Sequence, residues 1–322
     1  MAKIDTIGVL TSGGDAPGMN AAIRSVVRMG LGLGMRVIGI RRGYNGLITN
    51  DMFEMNLRSV SDIIHRGGTI LYTARSPEFK TEEGMQKAVA TCREAGIGGI
   101  VVIGGDGSYR GARDLSLRGV PCVGIPGTID NDIACTEYTI GFDTAMNTAV
   151  EMVDRLRDTV QSHERCTVVE VMGRHAGFLA LQTGVAVGAT AVIVEEKPFA
   201  MEELVNKMRR TQQSGKKHFI VVVSEGVGKV EEIAKDIQER TGIESRATVL
   251  GHVQRGGNPS ARDRVVASQM GYEAVKLLAD GVGNRVVALK DNHIVNYDIF
   301  EALQMKKPFD DALYEIANAI SI

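Results

Sequence analysis

Tryptophan is absent and aromatic residues make up only 5% of the 322 residues. A stacking surface for sugar polymers or single-stranded nucleic acid is therefore not expected. Cysteine is scarce: Cys92, Cys122, Cys135 and Cys166 stand apart, with no C-x-x-C pair. That spacing suits free thiols in a reducing cytoplasm better than disulfides or a zinc site. An excess of one charge is lacking as well. Lys plus Arg total 37 against 39 for Asp plus Glu, a net charge of −2. No bulk field draws nucleic acid or an acidic membrane, so any anion chemistry must come from local clusters. The opening Met-Ala-Lys-Ile-Asp has no apolar run of the signal-peptide kind. Residues 176–194 are uncharged over a length that just reaches a membrane span, but Ala, Gly and Thr dominate. They read as a buried helix followed by a buried strand.

What is abundant is glycine, at 38 residues. The hydrophobic share of 44% supplies a sizeable core, and the length suits two domains or one large one. Short β-branched runs recur at 6–11, 36–40, 99–103, 120–125, 167–172, 189–194, 219–224 and 246–250. Most are continuously apolar, the pattern of parallel strands covered on both faces. Amphipathic spacing between them predicts helices over 16–33, with Pro17 in the first turn, 144–160 and 201–213. Strands alternating with helices define an α/β class.

Polar, Gly-rich segments follow six of these strands: Ser12–Asp15, Gly104–Ser108, Pro126–Asp132, Met172–His175, Ser224–Gly226 and Gly251–Gly257. In open parallel sheets, ligands bind beyond the carboxyl ends of strands. Gly13-Gly14 before a helix start makes either an oxyanion cradle or a tight turn. A P-loop is excluded, because Gly13 to Gly18 leads into Met19 and not Lys. Gly30, Gly32 and Gly34 also miss the dinucleotide spacing. Asp106, set among phosphate-approaching glycines, makes sense as a carboxylate for Mg²⁺, or else as a turn residue. Asp130 and Asp132 offer a base and a metal-orienting group, although Asp and Asn also favour turns. Arg75, Arg165, Arg174, Arg246, Arg255 and His252 lie in or beside strand-end loops, where guanidinium forks suit phosphate oxygens. The residues alone lead to Mg²⁺-dependent phosphoryl transfer onto a small phosphorylated acceptor.

Taken together, Leu10–Asn20, Gly104–Ser108, Pro126–Asp132, Val169–Arg174 and Gly251–Gly257 resemble the bacterial ATP-dependent 6-phosphofructokinase family, from Ile7 to Phe309. The resemblance implies two Rossmann-like three-layer αβα domains with mostly parallel sheets and an active site in the cleft between them. Residues 1–141 plus about 255–303 would bind nucleotide, and 142–254 plus about 304–322 would bind sugar phosphate. It implies transfer of the ATP γ-phosphate to the 1-hydroxyl of fructose 6-phosphate, in a cytoplasmic homotetramer with no nucleic-acid or membrane partner. Asp130 would be the base. Asp106 and Asp132 would orient Mg²⁺, and Gly14, Arg75, Thr128 and Arg174 would stabilise the transferring group. Nucleotide would lie on Gly14, Tyr44, Arg75, Ser76, Gly105, Asp106, Gly107 and Ser108. Sugar phosphate would meet Thr128, Asp130, Met172, Gly173, Arg174, Glu225, His252 and Arg255, with Arg165 and Arg246 coming from a neighbouring subunit.

The pyrophosphate-dependent relatives carry a second Asp and a Lys where this chain has Gly107 and Gly127, so the resemblance favours ATP. A second phosphate site, for ADP or phosphoenolpyruvate as effector, would use Arg24, Arg28, Arg157, Gly188, Thr190, Lys216, Lys217 and His218. Thr190 departs from the family's metal-holding Glu there. Two other classes stay open from the residues: an oxidoreductase, disfavoured by the missing dinucleotide fingerprint, and a non-catalytic metabolite sensor.

Overall fold

The computed structural model of the chain describes residues 4–321. Its strands run β1 (Thr6–Ser12), β2 (Arg36–Ile40), β3 (Met52–Met55), β4 (Gly99–Gly104), β5 (Cys122–Pro126) and β6 (Cys166–Val171). They continue with β7 (Ala191–Ile193), β8 (Phe219–Ser224), β9 (Ser245–Val249), β10 (Arg285–Lys290) and β11 (His293–Asp298). The helices are α1 (Met19–Gly32), α2 (Tyr44–Thr49), α3 (Glu82–Glu94), α4 (Asp106–Ser116), α5 (Phe142–Ser162) and α6 (Phe178–Ala186). After them come α7 (Met201–Gln213), α8 (Val230–Thr241), α9 (Ala261–Ala279), α10 (Ile299–Ala302) and α11 (Asp311–Ala319).

Two units result. The first holds residues up to Ile129, Ile133–Thr144 and Arg255–Lys307. Its sheet has the order β11-β10-β5-β4-β1-β2-β3. The inner strands are parallel, and the edge strands β3 and β11 run antiparallel to their neighbours. Every residue of β1, β4 and β5 is buried, which is why these runs are largely apolar rather than alternating.

The second unit holds Asp130–Asp132, Ala145–Gln254 and the segment from Pro308 onward. Its parallel sheet has the order β7-β8-β6-β9. Alternate residues of β6 and β8 supply two different cores. Val169, Val171, Ile220 and Val222 pack in one, and Val168, Phe219, Val221 and Val223 in the other. Each buried Val contributes about 1.5–3 kcal/mol. A polar substitution on either face would therefore open a core.

Residues 176–194 form the expected helix and strand, α6 and β7. Among the described residues, no helix is long and apolar enough to cross a membrane. One expectation is corrected. Helix α1 begins at Met19, so Pro17 precedes it instead of filling its first turn. The cause is Gly18, the N-cap, at φ +108°. That left-handed conformation breaks the helix, and a Cβ at Gly18 would lie 2.6 Å from Ile140 Cγ2.

Candidate functional site

In the first unit, register sets Ser12 beside Gly104 and Gly104 beside Pro126 at the carboxyl ends of β1, β4 and β5. The three loops that follow therefore leave from one row. Gly104 has no room for a side chain, since a Cβ would lie 2.4 Å from both Ser108 Oγ and the Ser12 carbonyl oxygen. The close approach carries a hydrogen bond: Ser108 Oγ donates to the Ser12 carbonyl at 2.9 Å. Asp106 opens α4 beyond Gly105, and its carboxylate pairs with Arg110 at 3.0 Å. At Gly107 a Cβ would meet nothing within 4 Å.

The Gly13-Gly14 turn is held from two sides. Thr73 Oγ1 donates to the Gly13 carbonyl at 2.7 Å. Arg255 donates to the Asp15 carbonyl at 3.2 Å, and a Cβ on Gly14 would lie 2.7 Å from its Nη1. A guanidinium therefore lies against the exposed backbone of Gly14. Arg75 is exposed, and the Ser76 hydroxyl accepts the Phe79 N–H at 3.3 Å. Tyr44 is 4% exposed, its ring stacked on Phe79 with centroids 4.1 Å apart. Its hydroxyl donates to the Ser108 carbonyl, so it supports α4 from below. Thr128 is buried; its N–H donates to the Ile140 carbonyl at 3.1 Å, and its carbonyl accepts Thr139 Oγ1 at 2.6 Å. Arg24 and Arg28 stand on α1, where partial burial and then the Arg28 charge lower the Arg24 pKa.

In the second unit, Val171 pairs with Ser224 and Glu170 with Val249, so Met172, Glu225 and Leu250 follow at one edge. Glu225 Oε2 accepts the N–H groups of Gly173 at 3.2 Å and Arg174 at 2.8 Å. Arg174, exposed, takes φ +53°. Arg165 and Arg246 share one carboxylate: Glu244 accepts each at 2.7 Å. The hydrogen bond from Arg246 first, then that from Arg165, holds Glu244 below the usual carboxylate range. His252 is exposed on the turn Gly251–Arg255. Asp130 is 4% exposed and Asp132 is exposed.

Also in this unit, Arg157 donates to the Val187 carbonyl, and Lys216 and His218 lie near it. Burial, then the Arg157 charge, lowers the Lys216 pKa; burial, then Lys216 and Arg157, lowers that of His218. Arg157 also lies 3.8 Å from the Asp154 carboxylate, but cations that depress one another still make a site suited to an anion. Lys217 pairs instead with Glu164 at 2.7 Å, and Gly188 is exposed at φ +59°. Thr190 is fully buried, with its N–H on the Ile220 carbonyl at 2.7 Å.

Several supporting residues escaped the sequence reading. Asn20 is buried on α1 and ties down the segment ahead of Arg75: Nδ2 donates to the carbonyls of Arg66 at 3.1 Å and Gly67 at 3.2 Å, and Oδ1 accepts the Ile70 N–H at 2.8 Å. Gln254, fully buried, accepts the Met172 N–H at 3.3 Å and donates to the Gly251 carbonyl at 3.1 Å. Glu244 stands two residues from Arg246 on an extended segment, a same-face spacing that was available as a signal.

Rows of backbone-rich loops at strand ends, with guanidinium groups beside them in both units, define an α/β protein built to handle phosphate. The phosphofructokinase family model matches residues 6–278. The ATP-dependent 6-phosphofructokinase of Clostridium novyi (strain NT) is 58% identical over 316 residues, covering 98% of this chain and 99% of that protein. The protein of the same name from Clostridium botulinum (strain Loch Maree / Type A3) is 56% identical over the same length and coverage. Among solved structures, a Pichia pastoris phosphofructokinase in the T-state superposes with a TM-score of 0.89 at 34% identity. The match takes in 99% of this chain and 37% of that longer one. The chain belongs to the phosphofructokinase family.

Proposed function

We propose that this chain transfers the γ-phosphoryl group of ATP to the 1-hydroxyl of fructose 6-phosphate, giving fructose 1,6-bisphosphate and ADP, the committed step of glycolysis. The observation that carries the reading is the row formed by Ser12, Gly104 and Pro126, from which the three signature loops of the family depart together. Phosphoryl transfer needs little covalent help from a protein; positioning and charge neutralisation dominate it. Gly14 N–H, Arg75, Thr128 and Arg174 are assigned to the transferring phosphoryl group, and Asp130 to the proton of the acceptor hydroxyl. Ser76 and the residues from Gly105 to Ser108 receive the nucleotide, while Tyr44 supports them through its bond to the Ser108 carbonyl. Met172, Gly173, Glu225 and His252 are assigned to the sugar phosphate. Arg165 and Arg246 serve its 6-phosphate from a neighbouring subunit of a homotetramer. Arg255, lying against Gly14, is placed to neutralise phosphate at that turn as well.

Mg²⁺ fits the donor set. Among the described residues, no group of three or more His, Cys, Asp or Glu side chains could hold a metal by itself. Mg²⁺ takes one or two carboxylates and completes its shell with phosphate oxygens and water. Asp106, at the exposed head of α4, is the first carboxylate assigned to it, and exposed Asp132 is the second candidate. When bound, the cation would neutralise charge on the phosphates.

Regulation by ADP or phosphoenolpyruvate belongs to the same reading, with Arg24 and Arg28 in one unit and Arg157, Lys216 and His218 in the other as the basic groups. The Thr190 side chain is buried, which argues against it as a metal ligand for such an effector. Four buried free cysteines agree with a cytoplasmic setting.

The test is a coupled assay with fructose 6-phosphate and Mg²⁺, run in parallel with ATP and with pyrophosphate. Turnover with ATP alone is expected. Turnover with pyrophosphate would overturn the donor assignment, and silence with both would favour a sensor.

A further inference from the structure

Asp263, on α9, is fully buried and belongs to none of the ligand sites assigned above. A carboxylate without solvent is costly unless every lone pair finds a donor. Here four donors converge. Oδ1 accepts the Tyr138 hydroxyl at 2.5 Å and the Gly141 N–H at 2.7 Å. Oδ2 accepts the Thr144 N–H at 3.0 Å and the Thr144 hydroxyl at 2.5 Å. The Thr144 hydroxyl in turn accepts the Ser260 N–H at 2.9 Å, and Ser260 caps α9 by accepting the Asp263 N–H at 3.2 Å. The Arg262 guanidinium lies over the Tyr138 ring, 4.4 Å from its centroid. Two of the carboxylate's donors are main-chain N–H groups at the start of α5, where negative charge also meets the positive end of the helix dipole.

What this carboxylate grips is the far side of the Thr128 loop. The gripped segment contains Thr139 and Ile140, which hold Thr128 by its carbonyl at 2.6 Å and by its N–H at 3.1 Å. Ile140 also donates to the Pro126 carbonyl at 2.8 Å. The same segment backs the phosphate turn. A Cβ on Gly141 would lie 2.7 Å from Ala16 Cβ, and one on Gly18 would lie 2.6 Å from Ile140 Cγ2 and 3.4 Å from Asp263 Cβ. No slack separates the segment from either loop.

We propose that Asp263 is a positioning residue for phosphoryl transfer: through Tyr138–Thr144 it sets the backbone of Thr128 in register with the Gly13-Gly14 turn. The proposal rests on the phosphotransferase reading above. It assigns Asp263 no contact with substrate. Its effect is on the placement of groups that act only as the phosphoryl group moves, so it governs kcat more than substrate affinity.

Asp263→Asn tests it, because an amide has one acceptor oxygen and either rotamer turns an NH₂ against the N–H of Gly141 or of Thr144. Thr144→Val removes the hydroxyl that donates to Oδ2 and accepts the Ser260 N–H, and Thr144→Ser restores both. All are assayed with fructose 6-phosphate and ATP beside the parent, well below their melting temperatures, with rates expressed per folded chain by circular dichroism. The expected result is a kcat lowered about 10- to 100-fold in Asp263→Asn. KM for both substrates should stay within about threefold. Thr144→Val should fall between that variant and the parent, and Thr144→Ser should match the parent. A kcat per folded chain equal to the parent's, or a rise confined to KM, overturns the proposal and leaves Asp263 a stabilising group only. If Asp263→Asn does not fold, the Thr144 pair is judged by the same criteria. An inactive parent would instead refute the phosphotransferase reading itself.

Discussion

The Glu225 carboxylate accepts the main-chain N–H of Arg174 at 2.8 Å, and so holds a non-glycine residue in the left-handed region at φ +53°. That conformation costs roughly 1–2 kcal/mol, so it persists only where something over-determines it. Glu225 therefore acts on Arg174 as well as on any sugar it meets. Glu225→Gln keeps an acceptor oxygen for the loop and removes the charge; Glu225→Ala removes both. We expect Gln to raise KM for fructose 6-phosphate while leaving kcat near the parent value. Ala should lower kcat about tenfold further, because Arg174 is no longer aimed. Equal kcat values for the two variants would show that holding the loop does not matter to the reaction.

Asp130, at 4% exposure, is the buried carboxylate in the loop that begins with Thr128. In the proposed role of base it would carry about 10²- to 10⁴-fold of the rate. Asp130→Ser should lower kcat by that order and leave the KM for fructose 6-phosphate close to the parent's. Steady-state kinetics decides it, and near-parent turnover would remove Asp130 from the role.

Donor choice is tested at Gly107, where a side chain would enter open space. An acidic residue in the first turn of α4 is favourable to the helix dipole, so Gly107→Asp should fold as well as the parent. With nucleotide on Gly105–Ser108 as proposed, a carboxylate there would repel it. We expect KM for ATP to rise tenfold or more, about 1.4 kcal/mol, with an unchanged melting temperature. Unaltered ATP kinetics would mean that Gly107 does not face the nucleotide.

Glu244 pairs with both Arg165 and Arg246, so it would neutralise part of the charge these residues are proposed to offer to a phosphate. Arg246 is largely exposed, so its ion pair contributes little to stability. Arg165 and Arg246 bond opposite oxygens of the carboxylate, so Glu244→Gln keeps an acceptor for one guanidinium group and removes the opposing charge from both. A unit charge several ångströms away in a wet site is worth about 0.5–1 kcal/mol, so KM for fructose 6-phosphate should fall two- to fivefold. The gain should shrink as salt is added. A rise in KM would mean that Glu244 works by orienting the two arginines.

The sequence displays the strands whose both faces are buried, because a run such as 219–223 is apolar at every position. It conceals the edge strands β3 and β11, and β10 beside β11. His293–Asp298 mixes polar and apolar residues that are half-buried at most, a pattern open to several structures. The strand-end loops are legible because glycine and carboxylates cluster locally. The residues that hold those loops are not, because their partners lie far off in sequence: Asn20 meets Ile70, Gln254 meets Met172, and Asp263 meets Tyr138. No local spacing encodes such pairs. The start of α1 was misplaced for a related reason: Gly18 is required by Ile140, more than a hundred residues away.

His218 offers a readout of the effector reading that does not depend on turnover. Burial first, then the charges of Lys216 and Arg157, keep its pKa below the ordinary histidine value, so the free protein favours the neutral ring near pH 7. A bound anion would offset those cations and raise the His218 pKa. By linkage the bound form then takes up protons, and binding tightens as pH falls through the raised pKa. An NMR titration of the His218 ring, with and without phosphoenolpyruvate, should show the upward shift. Lys216→Met should raise the pKa in the free protein, because it removes a neighbouring charge, and should weaken the ligand-induced shift. A His218 pKa that phosphoenolpyruvate leaves unmoved or lowers would take this cluster out of effector binding and leave its basic residues as surface charge alone.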